Sequence, residues 1–162
     1  MAISSTSEKP DSAGVNLMPP TIFYGCLIAG IALELILRPP ISLLPQPTGL
    51  YAGSALAVAG LLFSLWANAR FHSVGVTVKC NKPAAHLVAT GAYRFSRNPM
   101  YVGFVAILAG IGLAAGSLPM LLSALPMFLY LDCYVIAREE KYLTRRFGGE
   151  YEAYRARVRR WL

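Results

Sequence analysis

The chain has 162 residues, of which 56% are hydrophobic and 14% are charged. Soluble domains carry about 25% charged residues, so this composition excludes an ordinary soluble fold and requires a non-aqueous environment for much of the chain. Lys and Arg number 15 against 8 Asp and Glu, and this basic balance indicates an anionic partner, either a nucleic acid or a membrane surface.

The N-terminal region is polar. Residues 1–16 are rich in serine and lack the basic stretch and short apolar core of a signal peptide. We therefore expect residues 1–19 to form a mobile cytosolic tail. The remainder, residues 20–162, is long enough for a single domain, which we expect to lie in the membrane.

The apolar runs predict the membrane helices. Two runs of one helix each come first, and residues 99–137 form a third, longer run. One crossing needs about 20 helical residues, so the third run holds two helices, with a turn at residues 116–119. The sequence thus predicts an all-α integral membrane protein with four transmembrane helices. The predicted spans are residues 21–37, 49–69, 99–116 and 118–137.

Basic residues are concentrated in the loop of residues 70–98 and in the tail of residues 138–162. Outside these regions the connections between spans carry only Arg38. The positive-inside rule places loop and tail in the cytosol, and four spans then place the N-terminus there too. Membrane orientation explains the charge, so we predict no nucleic acid partner; the compact multi-pass chain suits a bacterial inner membrane.

The loop and the tail each carry a pattern of their own. Residues 74–78 and 87–95 contain β-branched and aromatic residues and predict a loose hairpin in the loop. In the tail, residues 147–149 contain a Gly-Gly pair that breaks the helix. An amphipathic helix then follows, which we expect to lie in the headgroup interface or to cap the bundle. Its apolar stripe is formed by Tyr151, Tyr154, Val158 and Trp161.

Some residues within the spans are exceptional. Asp132 is a charge inside an apolar run, which makes it a functional candidate by default, whereas Glu34 near a span end can pair with Arg38. Pro126 predicts a kink in the fourth helix. Three cysteines and two histidines show no metal-ligand spacing, so we predict no metal site. The glycines expected to serve helix packing are Gly53, Gly60, Gly110 and Gly112.

The start of the third span is a candidate binding site for an anion. Asn98 suits the N-cap and Pro99 the first helical position, so the backbone N–H groups of Met100 and Tyr101 should be free. Those groups, with Arg97 beside them, suit a carboxylate. The alternative is a capped helix whose tyrosines anchor it at the membrane interface and whose arginines set its orientation.

Glycines and acids complete the candidate site. Gly91 and Gly103 would allow a ligand to approach the backbone closely. Glu139 and Glu140 share a helix face with Asp132, and carboxylates there could hold ribose hydroxyls or balance a cation. The alternative is a surface helix with weak Glu–Arg pairs.

Two parts of the sequence carry a family resemblance. The first is residues 91–103 (GAYRFSRNPMYVG), and the second, two spans later, contains Glu139-Glu140 and residues 147–154 (FGGEYEAY). From residue 70 onward the chain resembles the isoprenylcysteine carboxyl methyltransferases, which are related to the membrane phospholipid methyltransferases. The resemblance implies a membrane enzyme that uses S-adenosylmethionine. Many members have His where this chain has Asn98, which leaves a capping or hydrogen-bonding role for Asn98.

The resemblance also assigns roles to residues. In the family, an Arg-His/Asn-Pro-x-Tyr-x-Gly motif and a Glu-Glu motif border the cofactor, and the arginine before Phe-Gly corresponds to Arg146. We therefore predict Glu140 and Arg146 as catalytic residues. With the local chemistry included, the predicted cofactor-binding residues are Gly91, Tyr93, Arg97, Asn98, Pro99, Met100, Tyr101, Gly103, Glu139 and Glu140.

The hypothesis is a membrane methyltransferase that acts on a lipidic or amphiphilic acceptor, with membrane lipids around it and a homo-oligomer as a possible assembly. The acceptor would be an isoprenylcysteine carboxylate or a phospholipid amine. One alternative is an NADPH-dependent membrane reductase, which would require more phosphate-binding arginines and glycines. The other is a non-enzymatic membrane subunit or small transporter, which would need more polar residues in the spans.

Overall fold

The computed structural model describes residues 14, 15, 17–37, 45, 47–73 and 86–162. Within these ranges the protein is helical. A 3₁₀ turn, Gly91–Arg94, precedes α3, and a π-helical segment, Leu131–Ile136, joins α5 to α6. The α-helices are α1 (Pro19–Leu37), α2 (Thr48–Ser73), α3 (Pro99–Ala114), α4 (Leu118–Leu122), α5 (Ala124–Tyr130), α6 (Ala137–Phe147) and α7 (Gly149–Arg157).

Three stretches of the described chain are long and apolar enough to cross a membrane. They are α1, α2 and the helical stretch Leu118–Phe147, which has 30 residues. Helix α3 is apolar but has only 16 residues, about 24 Å at a rise of 1.5 Å per residue. A hydrocarbon core is about 30 Å thick, so the predicted crossing of residues 99–116 stays a prediction.

Helices α2 and α3 pack closely through glycines. A Cβ atom at Gly53 would collide with the backbone of Gly110 and Ala114, and one at Gly60 would lie 2.9 Å from the Gly103 carbonyl oxygen. Gly112 packs in the same way against the backbone of Leu121 on α4. The packing role predicted for the glycines is therefore confirmed.

The last apolar stretch is irregular at two points. Helix α4 ends at Leu122, and α5 begins at Ala124. Because Pro126 has no N–H, the Leu122 carbonyl lacks its usual helical partner, so the irregularity expected from Pro126 falls one turn before the proline. The second irregularity is the π-helical segment, which contains Asp132. Such wider turns are frequent at functional sites.

The hairpin predicted in the loop is wrong for the loop residues that the structure describes. Residues 74–85 lie outside the described residues, but the 87–95 half of the proposed hairpin contains a 3₁₀ turn in place of a strand. Gly91 begins this turn with φ +66°. Ala92 and Tyr93 are buried there, and Tyr93 meets Phe71 of α2 edge to face at 5.2 Å. Packing against α2 thus overrides the strand propensity of the residues.

The tail differs from its prediction as well. The break at Gly148, with φ +52°, is confirmed, but α7 ends at Arg157, and Val158 has extended backbone angles. Val158 and Trp161 therefore do not continue a helical stripe with Tyr151 and Tyr154. The helix ends there because of a tertiary contact, in which the backbone N–H of Arg97 donates to the Arg159 carbonyl at 2.9 Å. We call residues 158–162 the C-terminal segment.

The main apolar core lies between α3 and the stretch from α5 to α6, and it reaches the basic end of the bundle. Val15 joins this core and is only 2% exposed. Its neighbours are fixed too, since Arg138 donates to the Gly14 carbonyl at 3.1 Å and the Tyr130 hydroxyl donates to the Leu17 carbonyl at 2.7 Å. The other buried core residues are Tyr101, Leu108, Ala124, Met127, Leu131, Val135 and Ile136.

Candidate active site

A charged network lies at the basic end of the bundle, where α3, α6 and the C-terminal segment meet. Arg97 Nη2 lies 3.0 Å from Glu140 Oε1, and these two side chains are 9% and 13% exposed. Arg160 binds the same carboxylate from the other side, through Nη2 to Oε2 at 2.6 Å and through Nε to Oε1 at 3.2 Å. Glu140 is therefore held between two guanidinium groups, an arrangement that fixes its position strongly.

Asp132 joins this network from the π-helical segment. Its Oδ1 atom accepts from Arg160 Nη1 at 3.1 Å and from the Trp161 indole N–H at 3.0 Å. The Trp161 ring also packs on Phe128, with centroids 4.8 Å apart. The charge inside the apolar run is thus paired with a cation, as an acid among apolar residues requires.

Glu139 contacts α3 directly. The Tyr101 hydroxyl donates to Glu139 Oε1 at 2.8 Å, and Tyr101 is 7% exposed. This bond joins the Tyr position of the Arg-Asn-Pro-x-Tyr-x-Gly motif to the first acid of the Glu-Glu motif. The structure therefore brings Arg97, Tyr101, Glu139 and Glu140 together, although they lie in two separate parts of the sequence.

The start of α3 differs in detail from the prediction. Pro99 occupies the first turn as expected, but the Asn98 side chain makes no cap hydrogen bond. Its Nδ2 group donates to the Arg160 carbonyl at 2.9 Å, so the C-terminal segment takes the side chain that would have capped the helix. The Tyr101 N–H donates to the Asn98 carbonyl at 3.0 Å. Asn98 thus occupies the N-cap position as expected, but the expected cap hydrogen bond of its side chain and the expected free Tyr101 N–H are both wrong.

Arg97 retains unused hydrogen-bonding capacity. Its Nε and Nη1 atoms are buried and have no hydrogen-bond partner among the described residues. A buried donor without an acceptor is costly and uncommon, so it needs an explanation in the form of a ligand, a water or an ion. Two adjacent N–H groups of a guanidinium suit a carboxylate, which can accept both.

Tyrosines of α7 pack next to the site. The Tyr154 hydroxyl donates to the Tyr93 carbonyl at 2.7 Å, in a buried hydrogen bond between α7 and the 3₁₀ turn. Burial raises the pKa of Tyr93 and of Tyr154 well above the ordinary value, and Glu139 raises the pKa of Tyr93 further. Burial raises the pKa of Tyr151 as well, and Glu140 adds to that rise. The charge of Arg97 and a hydrogen-bonding contact with its side chain oppose the rise, and because Nε and Nη1 have no partner this contact involves Nη2. These phenols are therefore protonated at neutral pH and act as hydrogen-bond donors.

The other predicted residues have different surroundings. Gly91 lies against Arg70 and Trp66, and Gly103 lies against Ser64, so both glycines contact α2. The Met100 carbonyl accepts from Ser64 Oγ at 3.1 Å. Arg146 is exposed on α6. The cofactor roles of the glycines and Met100, and the catalytic role of Arg146, stay predictions.

A cleft of about 410 Å³ opens beside Glu140. Its walls come from α6, α7 and the C-terminal segment, and cations outnumber the single acid among them. A cleft lined mainly by cations attracts an anion and orients it. The lining residues are Ala137, Glu140, Lys141, Thr144, Arg145, Arg155 and Arg160.

Sequence reasoning missed the part that Arg160 plays in the site, and it identified Tyr151, Tyr154 and Trp161 only as members of an apolar stripe. A signal for Arg160 was present, because Asp132 needed a cationic partner. The sequence offers 15 basic residues, however, and nothing in their spacing selects Arg160. The choice depends on the chain reversal after Arg157, which a local pattern does not reveal.

The sequence is similar to those of known proteins. The family model described as phospholipid methyltransferase matches residues 48–150, which include Arg97, Tyr101, Glu139 and Glu140. An uncharacterized protein of Haemophilus influenzae is 40% identical over 63 residues, which are 39% of this chain and 100% of that protein. No solved structure matches.

A second relative has a stated activity. The protein-S-isoprenylcysteine O-methyltransferase of Saccharomyces cerevisiae is 34% identical over 96 residues, which are 54% of this chain and 37% of the yeast enzyme. The chain thus matches little more than a third of that enzyme's length. The family model covers more than half of the chain, and three of the described helical stretches are long and apolar enough to cross a membrane. The chain therefore belongs to the phospholipid methyltransferase family and is a membrane methyltransferase.

Proposed function

We propose that the protein binds S-adenosylmethionine at the basic end of the bundle and transfers its methyl group to an amphiphilic acceptor. The observation that carries this proposal is the buried guanidinium of Arg97, with Nε and Nη1 unpaired among the described residues. Family membership supplies the reaction class. It favours a methyltransferase over the reductase and over the non-enzymatic subunit.

The residues present fit the chemical groups of this cofactor. Arg97 can bind the amino acid carboxylate through its two unpaired nitrogens. Glu139 can accept hydrogen bonds from ribose hydroxyls while Tyr101 holds it in place. The rings of Tyr93 and Tyr101 can attract a sulfonium cation. When bound, the cofactor supplies an electrophilic methyl group on that sulfonium.

The site favours an acceptor that is already ionised. Glu140 accepts hydrogen bonds from two guanidinium groups, and the raised pKa of Tyr93, Tyr151 and Tyr154 keeps these phenols protonated at neutral pH, so they cannot take a proton from the acceptor. An amine would have to lose a proton before attack, whereas a carboxylate would not. Of the two acceptor classes, we therefore favour the carboxylate, the class that the name of the yeast relative implies.

The cationic cleft can orient such an acceptor. Lys141, Arg145 and Arg155 line it, and Glu140 connects it to Arg97. An acceptor carboxylate held there would form its new C–O bond as the S–CH₃ bond breaks, and no proton has to move. Catalysis then depends on in-line positioning in a site that excludes water. Glu140 would act by holding the two arginines in place.

Isothermal titration of the detergent-purified protein tests the cofactor assignment. We expect micromolar binding of S-adenosylmethionine and S-adenosylhomocysteine, and no binding of NADPH. Arg97→Ala and Glu139→Ala should remove most of this affinity. Arg94→Gln is the control, because Arg94 is an exposed arginine three positions before Arg97. Equal affinity in wild type and in Arg97→Ala would refute the site, and binding of NADPH alone would make the protein a reductase.

A further inference from the structure

The C-terminal segment is hydrogen-bonded to the loop that contains Arg97. The backbone N–H of Arg97 donates to the backbone carbonyl of Arg159 at 2.9 Å. The Arg160 carbonyl accepts from Asn98 Nδ2 at 2.9 Å and from Ser96 Oγ at 3.3 Å. Ser96 is fully buried. The backbone of residues 159–160 is therefore held in place independently of the Arg160 side chain.

From this fixed backbone, the Arg160 guanidinium reaches two carboxylates on the other side of the site. All three of its nitrogens donate, two to Glu140 and one to Asp132. Its hydrogen bonds with Glu140 raise the pKa of Arg160; burial opposes this rise and Asp132 adds to it. Both carboxylates bind one guanidinium, so they face the same side of the helical stretch although the π-helical segment lies between α5 and α6.

The order of contacts runs from the apolar stretch to Arg97. Asp132, which also accepts from the Trp161 indole, contacts Arg160. Arg160 contacts both oxygens of Glu140, and Glu140 contacts only Nη2 of Arg97. If Arg160 were absent, Glu140 would have an oxygen to spare, and Arg97 could turn a second nitrogen toward it. That nitrogen would then be lost to a ligand.

We propose that Asp132 and Arg160 are positioning residues, which hold Glu140 so that it engages a single nitrogen of Arg97 and leaves the other two for the ligand carboxylate. This inference rests on the proposed function for the identity of the ligand. Neither residue contacts the cofactor carboxylate, although the Arg160 side chain also lines the cleft proposed for the acceptor. Arg160 lies outside the part of the chain that the family model matches, so that match does not assign it a role.

The opposite role for Arg160 makes an opposite prediction. If its guanidinium merely occupied the place of a cationic ligand group, then removing it would open the site and tighten binding. If it positions Glu140, then removing it weakens binding. The sign of the change in affinity therefore separates the two roles.

The test uses the full chain in detergent and titration with S-adenosylhomocysteine. We expect Arg160→Gln and Asp132→Asn each to weaken binding about tenfold, the loss of one charged hydrogen-bond contact, and Arg160→Lys to restore part of it. Arg159→Gln is the matched control, because Arg159 is an exposed neighbour of which only the backbone carbonyl takes part in the network.

The double variant is a separate test. In an Arg97→Lys background, Arg160→Gln should cause little further loss of affinity, because its effect passes through Arg97. Unchanged or tighter binding in Arg160→Gln would overturn the proposal.

A second readout does not depend on the cofactor. The nitrogen NMR signal of the Arg97 Nε–H, assigned with Arg97→Lys, should shift in Arg160→Gln and in Asp132→Asn, but not in Arg159→Gln. If wild type fails to bind S-adenosylhomocysteine, the proposed function fails, and this signal alone decides the positioning role. An unchanged signal in folded Arg160→Gln protein would refute that role even if the cofactor binds.

Discussion

At the scale of single residues, the site is organised by a carboxylate with two cationic neighbours. Glu140 is mostly buried, and it offsets the charges of Arg97 and Arg160. Removing one partner of a buried ion pair costs far more than the net contribution of the pair, because the other charges stay behind without compensation. The same reasoning applies to buried hydrogen bonds, such as the one between Tyr154 and the Tyr93 carbonyl.

We predict that Glu140→Gln lowers stability and abolishes cofactor binding together. The amide cannot balance two guanidinium groups, and breaking a buried pair typically costs about 3 to 5 kcal/mol. Because the Arg160 side chain is 35% exposed, water will compensate part of this loss, and we expect about 2 kcal/mol. Denaturant titration in detergent measures the change. Glu150→Gln, at an exposed position, is the control, and an equally stable Glu140→Gln protein would contradict the role of Glu140.

Tyr154→Phe should destabilise the protein by about 1 to 3 kcal/mol, because the buried Tyr93 carbonyl loses its donor. Tyr24→Phe is a control with the same chemical change at a side chain that is 60% exposed on α1. The comparison of the two denaturation midpoints checks this expectation. Similar midpoints would mean that the hydrogen bond between α7 and the 3₁₀ turn contributes nothing.

The same tyrosines predict the dependence of stability on alkaline pH. Burial raises the pKa of Tyr93 and Tyr154 in the folded state, whereas an unfolded tyrosine loses its proton near pH 10. Their stabilising effect is complete below about pH 10 and declines above it, because only the unfolded state then releases protons. Thermal melts from pH 8 to 11 should show this decline, and Tyr154→Phe should make it shallower. Stability that is level or rising above pH 10 would contradict the assignment.

At the scale of elements, glycine contacts decide how the bundle packs. A Cβ at Gly110 would lie 2.5 Å from the Ala57 nitrogen and 2.6 Å from the Gly53 carbonyl oxygen, both backbone atoms that cannot rotate away. A side chain there must therefore separate α2 from α3. Since α3 carries Tyr101, such a separation would also reach the site.

Gly110→Ala should cost about 1 to 3 kcal/mol, the usual range for a side chain forced into a packed interface. Gly25→Ala is the control, because nothing lies within 4 Å of the position that its Cβ would take. We expect this control to be neutral or stabilising by up to about 1 kcal/mol, because alanine is the better helix former. Denaturation of both variants in detergent compares them directly. A Gly110→Ala protein as stable as Gly25→Ala would show that the helices do not pack as described.

Elements were predictable where the signal is local. Apolar runs predicted α1, α2 and the long last stretch, and Gly148 predicted the break after α6. The β-branched and aromatic residues of the 87–95 region predict a strand when they are judged without their neighbours, but packing against α2 determines the turn there. The tail sequence predicts a helix through Trp161 for a similar reason. Its side-chain period is helical, but the backbone partners of residues 159–160 lie next to α3.

At the scale of the whole molecule, the candidate site could be predicted in outline. The motif spacing and the family resemblance selected Arg97, Tyr101, Glu139 and Glu140, and the structure brings these four into contact. What could not be predicted is the closure of the site by Arg160 and Trp161. That closure depends on a chain reversal that only the complete fold determines.

Orientation in the membrane is a property of the whole molecule. We predict that the basic end of the bundle faces the cytosol, because the arginines of α6 and α7 lie there. In a cysteine-free variant, Lys141→Cys should stay unlabelled by a membrane-impermeant maleimide added to intact cells. Thr48→Cys, at the exposed first residue of α2 and so at the opposite end of that helix, should react. The reverse pattern would mean that the site lies on the outer face. Labelling of both positions after cell lysis controls for accessibility.

The cofactor site can be located in a structure of the protein bound to S-adenosylhomocysteine. We predict that the ligand carboxylate lies within hydrogen-bonding distance of Arg97 Nε and Nη1, and that Glu140 still bridges Arg97 and Arg160. A ligand bound elsewhere, with those two nitrogens still unpaired, would contradict the assignment of the site.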